Sequence, residues 1–434
     1  MTETRHAPMR VAIATVGCRA NQADSSSLAR YLDKRCVSIS PDFDAVDITI
    51  INTCCVTAEA ERDCRKLARR ALKRSPDARV VFVGCAVNAI RNFGDELGER
   101  VEMRGGPDAD PRRLASWIHG LAGASADDAP VGDALEPLGG RTRALIKIQN
   151  GCSHGCAYCI VPRARGRERS MPEAEVLDEL GRLAAQGLRE VVITGVQLGA
   201  WGTDLVPRRH LAELVAKAAD RMSPGRLRLS SIEPWSVDDA LIRVLRDHDR
   251  ICPHLHLPIQ SGDDGILRAM RRGYTARQYL DTIEALRRAV PDIAVGTDVL
   301  LGFPGEDDAS FKRTLATLEA VAPAYVHAFS FSPRPRTTAA RLPGRPPKEV
   351  VRERNQAVRE LGERSRKAFL DGHAGRTREV IVEEERGGGW RGLTDTFVRV
   401  IFQSGDLEAG QLVRARLEIG DSGEPLVALP PEGV

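Results

Sequence analysis

A strand–helix rhythm constrains this chain more than any other feature. Short apolar runs alternate with amphipathic stretches three times between residues 8 and 122 and six times between 143 and 372. Strands separated by helical crossovers pair in parallel, because a tight hairpin can join only antiparallel neighbours. In the first block the expected strands are 11–16, 46–51 and 79–83, followed by helical stretches at about 22–34, 57–74 and 87–97. In the second they are 144–149, 190–194, 226–231, 253–257, 292–299 and 324–331. Six parallel strands imply a partial (β/α)6 barrel of the TIM type, with chemistry at the strands' carboxyl ends. After residue 373 the pattern changes to short runs at 377–383, 388–393, 397–402, 411–418 and 425–428, separated by turn residues, which implies a small β-barrel. The expected class is therefore α/β, with domains at 8–122, 143–372 and 373–434. Residues 123–142, rich in Ala, Asp, Gly and Pro, read as a linker.

Cysteine placement carries the chemistry. Cys152, Cys156 and Cys159 lie in Gly-Cys-Ser-His-Gly-Cys-Ala-Tyr-Cys, just past the first strand of the second block. A tight loop can present three such sulfurs to one face of an iron–sulfur cube. One of the four irons is then left without a protein ligand, whereas electron carriers close the cluster with four thiolates. An open iron invites a small molecule to bind and be activated. Two other readings stand beside this one. One is a structural zinc with His154 as a cramped fourth ligand, and the other is a disulfide pair. Cys18, Cys54 and Cys85 each follow the end of a strand in the first block, where ligands of open α/β sheets collect, and point to a second metal site. The plain alternative is that cysteine is a common small buried residue. Cys54 is followed by Cys55, which could replace it in a flexible loop. Cys36, Cys64 and Cys252 read as ordinary thiols. Gly195, Ser231, Glu233, Gln260 and Asp298 lie near strand ends of the second block, where polar and glycine residues are also common in loops.

The net charge is only +3, so any affinity for nucleic acid must come from local patches. The stretch 61–74 holds 7 basic against 2 acidic residues, including Arg65, Arg69 and Arg70, and 334–367 holds 11 against 4. Arg163, Arg165, Arg167 and Arg169 add a third group beside the cysteine loop. Such runs are usually solvated faces, but together they make a phosphate-contacting surface. The C-terminal block opposes this, with 7 Arg and no Lys against 11 Asp and Glu. The opening residues form no apolar signal region and no run of eighteen apolar residues occurs, so a cytoplasmic chain with no membrane partner is expected.

The run Cys152-x3-Cys156-x2-Cys159 after an apolar strand resembles the radical S-adenosylmethionine superfamily. Three more cysteines in an N-terminal α/β domain, with a small C-terminal barrel, resemble its methylthiotransferases. The matching segments are Gly17-Cys18-Arg-Ala-Asn-Gln, Asn52-Thr53-Cys54, Gly84-Cys85 and Lys147-Ile-Gln-Asn-Gly-Cys152. Asn21-Gln22-Ala23-Asp24, Ile160-Val-Pro-Arg-Ala-Arg-Gly166, Thr194-Gly-Val-Gln-Leu-Gly199 and Leu229-Ser-Ser-Ile-Glu-Pro234 resemble the branch acting on N6-threonylcarbamoyladenosine in tRNA. The isopentenyladenosine and ribosomal-protein branches differ around these segments.

The resemblance implies two 4Fe–4S clusters and S-adenosyl-L-methionine. The Cys152/Cys156/Cys159 set would hold the cluster where S-adenosylmethionine is cleaved to a 5′-deoxyadenosyl radical. The Cys18/Cys54/Cys85 set would hold the one carrying the transferred sulfur. Tyr158, Gly195, Ser231, Glu233, Gln260 and Asp298 would contact S-adenosylmethionine, with Tyr158 against the adenine or, equally, a core aromatic. The implied partners are tRNA, an electron donor such as flavodoxin or ferredoxin, and a sulfur donor. No acid–base residue is implied.

Overall fold

The computed structural model describes residues 8–32, 35–123, 142–402, 406–420 and 426–429. Its N-terminal part contains β1 (Met9–Thr15), α1 (Arg19–Tyr31), β2 (Val37–Ser40), β3 (Ile48–Thr53), α2 (Ala58–Arg74), β4 (Arg79–Gly84), α3 (Cys85–Ala89), β5 (Val101–Met103) and α4 (Pro111–Leu121). β3 reads Ile-Thr-Ile-Ile-Asn-Thr and is buried along its whole length, as befits the middle of a parallel sheet covered on both faces. The order is β2-β1-β3-β4-β5, and every pairing is parallel. The sequence pattern missed β2 and β5, which have 4 and 3 residues and too few positions to show a period. The helix expected at 87–97 also breaks. α3 stops at Ala89, where Ile90 turns extended, and Asn92 and Gly94 take positive φ before a 3-10 turn at Asp95–Leu97.

The second part contains β6 (Arg143–Asn150), α5 (Val161–Arg165), β7 (Arg169–Ser170), α6 (Glu173–Ala185), β8 (Glu190–Gly195), α7 (Leu211–Arg221), β9 (Arg226–Leu229), α8 (Asp239–Asp247) and β10 (His254–His256). It continues through α9 (Asp264–Ala269), α10 (Ala276–Ala289), β11 (Ala294–Leu301), α11 (Asp308–Val321), β12 (Tyr325–Ser330) and α12 (Lys348–Asp371). β6, β8 and β9 pair in parallel, as do β10, β11 and β12, and the bridges Leu227↔Ile251 and Ser231↔His256 join the two sets. β7 adds one antiparallel edge to β6. β6 and β12 are not paired, so the barrel is open on one side, and α1 lies along β6 and β8. Outward-facing Ile146, Ile148, Val191, Ile193 and Leu227 pack against the helices in the main core.

The last part is a closed barrel of β13 (Thr377–Arg386), β14 (Gly389–Thr394), β15 (Arg399–Phe402), β16 (Leu412–Ile419) and β17 (Leu426–Leu429), ordered β13-β14-β15-β17-β16. It is seated on the amino ends of the core strands by a buried ionic network. Glu190 accepts from Arg226 Nε at 2.7 Å and from Arg228 Nε at 2.8 Å. Arg226 also donates to the carbonyls of Glu379 and Leu393, and Arg228 to those of Thr394 and Asp395. These guanidinium groups donate charged hydrogen bonds to carbonyls of β13, of the end of β14 and of the turn after it. Most of the segment read as a linker lies outside the described residues.

Candidate functional site

The Cys152 loop is held by backbone that tolerates no side chain at its start. Gly151 has φ +77°, and a Cβ there would fall 1.8 Å from the carbonyl oxygen of Arg167. Cys152 N–H donates to Gly166 O at 2.9 Å, Ala157 N–H to Met270 O at 2.9 Å, and Ala339 N–H to Ala157 O at 2.8 Å. Polar groups surround the sulfurs. His154 N–H donates to Cys152 Sγ at 3.4 Å, Gln197 Oε1 lies 3.5 Å from the same sulfur, and Arg272 Nη1 reaches Cys156 Sγ at 3.6 Å. Arg272 is almost fully buried, ion-paired to Glu233, and faces the rings of Trp235 and Tyr274 at 4.7 and 5.2 Å. The His154 ring stacks on Trp235 at 4.4 Å. Burial pushes the Cys152 thiol up to about 11 and Cys159 up to about 12. Burial also raises Cys156, against the opposing pull of Arg272. Three thiols of this kind become thiolates at neutral pH only when a metal takes the place of their protons.

The other cysteine set converges from the ends of β1, β3 and β4. Gly17 has φ +103°, and a Cβ there would sit 2.7 Å from Cys54 Cβ. The amide of Asn21 donates to Val16 O at 2.7 Å and Thr53 O at 2.9 Å, and that of Asn52 donates to Asn21 O at 2.8 Å. Two asparagines thus tie the strand ends together. Cys85 Sγ accepts from Arg165 Nε at 3.2 Å. Burial pushes the Cys54 thiol up to about 12, and neighbouring Cys85 and Cys18 push in the same direction. Cys55 is fully buried among Ile51, Cys64 and Ala68, its thiol raised by burial and by neighbouring Cys85 and Cys54.

The two sets adjoin across the domain boundary. Arg165, six residues after Cys159, bonds Cys85, Asn150 and Asp24. Asp24 also pairs with Lys147. Burial raises its carboxyl, but the two cations outweigh that and hold it below its usual value. Ile160 and Ala164 pack in the same apolar cluster as Cys55 and Cys85.

The donor geometry distinguishes the kinds of metal. A tetrahedral zinc with bonds of about 2.3 Å holds its sulfurs about 3.8 Å apart. Among the described residues, His256, Asp298 and His327 form the only trio whose ligand atoms all lie within 4.8 Å of one another, so neither cysteine set is that compact. All ten cysteines are free, which removes the disulfide reading. Two open trios of thiols, Cys18 exposed and the rest partly or fully buried, each trio approached by an arginine, fit a multi-iron cluster.

The other residues singled out from sequence separate into groups. Glu233 is bound to Arg272 beside Cys156, and Tyr158 packs near it against Ala157, Met270 and Phe303. Gly195 abuts the side chain of Gln149, whose Oε1 accepts from Gln197 N–H at 2.8 Å. Gln260 takes φ +66° and is held through its backbone to Asp298 and Leu300. Ser231 and Asp298 meet in the barrel lumen through a residue not singled out. His256 Nδ1 lies 2.7 Å from Ser231 Oγ, and its Nε2 lies 2.9 Å from Asp298 Oδ1. Arg272, Gln197, His256 and His327 carried no sequence signal, since single polar residues at strand ends and in loops are ubiquitous.

A partial parallel barrel with a three-thiol loop after its first strand, and a second thiol trio docked beside it, defines a radical S-adenosylmethionine enzyme. Residues 146–318 match the family model described as the radical SAM superfamily, and residues 10–102 match one described as uncharacterized protein family UPF0004. Threonylcarbamoyladenosine tRNA methylthiotransferase MtaB of Thermotoga maritima is 36% identical over 86% of both chains. The tRNA-2-methylthio-N(6)-dimethylallyladenosine synthase of Erythrobacter litoralis is 33% identical over 95% of both. The radical S-adenosylmethionine methyltransferase TsrM of Kitasatospora setae shares the fold, with a TM-score of 0.55 at 16% identity, covering 76% of this chain and 75% of its own. The chain belongs to the radical S-adenosylmethionine tRNA methylthiotransferase family. The cofactors of that family are S-adenosyl-L-methionine and 4Fe–4S clusters, typically two in a methylthiotransferase. Among the described residues no helix is long and apolar enough to cross a membrane.

Proposed function

We propose that this enzyme adds a methylthio group to C2 of N6-threonylcarbamoyladenosine at position 37 of tRNA. Cys152, Cys156 and Cys159 would hold one 4Fe–4S cluster, and Cys18, Cys54 and Cys85 a second. When bound, these clusters supply reductive cleavage of S-adenosylmethionine and the sulfur to be transferred. The protein's own contribution is placement. Arg272, fixed by Glu233, Trp235 and Tyr274, stabilises thiolate charge at Cys156, and Arg165 does the same at Cys85. Arg165 and Lys147, both bound to Asp24, hold the N-terminal domain against the core, so that both sites face one substrate base.

The observation that carries the substrate reading is the polar lumen. Ser231, His256, Asp298 and His327 line it, which suits a polar N6 substituent and disfavours an apolar dimethylallyl group. A second reading, dimethylallyladenosine, is supported by relatives of that name at comparable identity. An electron donor such as flavodoxin or ferredoxin, a sulfur donor and a cytoplasmic setting complete the proposal.

The test is anaerobic reconstitution followed by nucleoside mass spectrometry of two tRNAs, one bearing each modification. The expected product is the 2-methylthio derivative of threonylcarbamoyladenosine. Product only on the dimethylallyl tRNA would overturn the reading.

A further inference from the structure

Arg19 stands out among the arginines of the lumen. It follows Cys18 directly and opens α1, the helix lying along the open side of the barrel. Its guanidinium lies 5.5 Å from the ring centre of Phe397, a residue of the C-terminal barrel held at φ +65° and stacked on His254 at 4.6 Å. Among the described residues Arg19 has no hydrogen bond and no carboxylate within ion-pair distance. Its neighbours are spent. Arg228 is bound to Glu190 and two carbonyls, and Arg143 pairs with Glu383 at 2.8 Å. A half-buried guanidinium with no anion beside it is available to pair with an anionic ligand.

The surroundings suit such a ligand. Arg19, Leu145, Val192, Arg228 and Phe397 line a cavity of about 410 Å³, whose wall also carries Arg143 and Arg399 beside Glu383 and Glu384. That volume lies within the usual range for small-molecule sites. Phe397 lies 5.4 Å from the Tyr325 ring, and Tyr325 stacks on His256 at 5.8 Å, so contacts run from Arg19 to the lumen. A base held between the two cysteine sets would direct its N6 substituent down the lumen, past His256 and Asp298, toward Arg19.

We infer that Arg19 is the specificity-determining residue that binds the carboxylate of the threonyl group on the substrate nucleoside. The inference rests on the substrate reading above. The pairing is a forked one, with two N–H groups of the guanidinium meeting two carboxylate oxygens, and a neutral apolar substituent would cover Arg19 without pairing it. Arg19 thus accounts for discrimination in both directions.

The test uses the reconstituted full-length enzyme and an anticodon stem-loop carrying threonylcarbamoyladenosine, either with its free carboxylate or as the methyl ester. Equilibrium binding and kcat/KM are measured for wild type, Arg19→Gln and Arg19→Lys, with iron content and thermal unfolding checked for each. A charged hydrogen-bonded pair of this kind is worth about 10- to 100-fold in affinity. Wild type is expected to prefer the free carboxylate by that factor, Arg19→Gln to lose the preference to within about threefold, and Arg19→Lys to recover part of it. A merely structural arginine would weaken both ligands equally. If Arg19→Gln keeps the wild-type preference while wild type acts on the carboxylate substrate, the Arg19 assignment falls and the functional reading stands. If wild type does not act on the carboxylate substrate at all, both fall.

Discussion

Cys54 and Cys55 are adjacent, and Cys54 is the one packed against the Gly17–Cys18 turn. Cys54 shares its surroundings with Cys18 and Cys85, whereas Cys55 lies beside Cys85 in an apolar cluster with Ile51 and Cys64. Cys54→Ala should therefore cost about four irons of the eight in two full cubes, measured by iron analysis after anaerobic reconstitution. Cys55→Ser should keep the iron but lower stability by about 1–3 kcal/mol, because a hydroxyl replaces a buried thiol without a partner. The reverse pattern would exchange the two roles. Gly151 offers a matching test at the other loop. Gly151→Ala places a methyl against the Arg167 carbonyl, so the Cys152 loop should lose its cluster signal in electron paramagnetic resonance while the other set keeps its own.

At the scale of elements, α2 corrects a simple charge count. Its basic run includes Arg65, but Arg65 pairs with Glu96 at 2.5 Å and with Glu61, and covers the Phe93 ring at 4.8 Å. Arg334 and Arg354 of the other basic stretch are likewise buried, against Glu61 and against Glu306 and Asp308. These residues hold the fold together. Arg62, Lys66 and Arg69 remain exposed on α2. Neutralising those three should weaken tRNA binding and reduce its salt slope by about one unit per lost phosphate contact. An unchanged slope would show that this face is only solvated. Neutralising Arg65 should instead lower the unfolding temperature.

At the scale of the whole molecule, Glu190 joins the C-terminal barrel to the core. Burial alone would raise its carboxyl, but Arg228 and Arg226 outweigh that and hold it far below its usual value of 4.5. A depressed carboxyl contributes stability above its unfolded pKa and loses it as pH falls through that value toward the folded one. Acid below about pH 4.5 should therefore release the barrel first. Glu190→Gln leaves two buried guanidinium groups short of charge and should cost about 3–5 kcal/mol at neutral pH. Urea unfolding should show that loss, and proteolysis should cut near residue 373. A variant of wild-type stability would mean that the bonds to the barrel carbonyls alone hold the seat.

The parallel sheets, the βα order and the Cys152 loop could be read from the chain alone, because burial on both faces of a strand and the spacing of cysteines within one loop are local properties. β2 and β5 could not be read, since three or four residues carry no period. Nor could Arg226 and Arg228, whose alternation with leucine reads as a half-exposed strand until a second domain covers it. Spacing places Cys152, Cys156 and Cys159 in one loop. Only packing brings Cys85 to Arg165, leaves Arg19 without an anion and sets Cys54 rather than Cys55 against the Gly17–Cys18 turn. Those outcomes depend on how separately folded surfaces meet, and contacts between residues far apart in sequence leave no pattern along it.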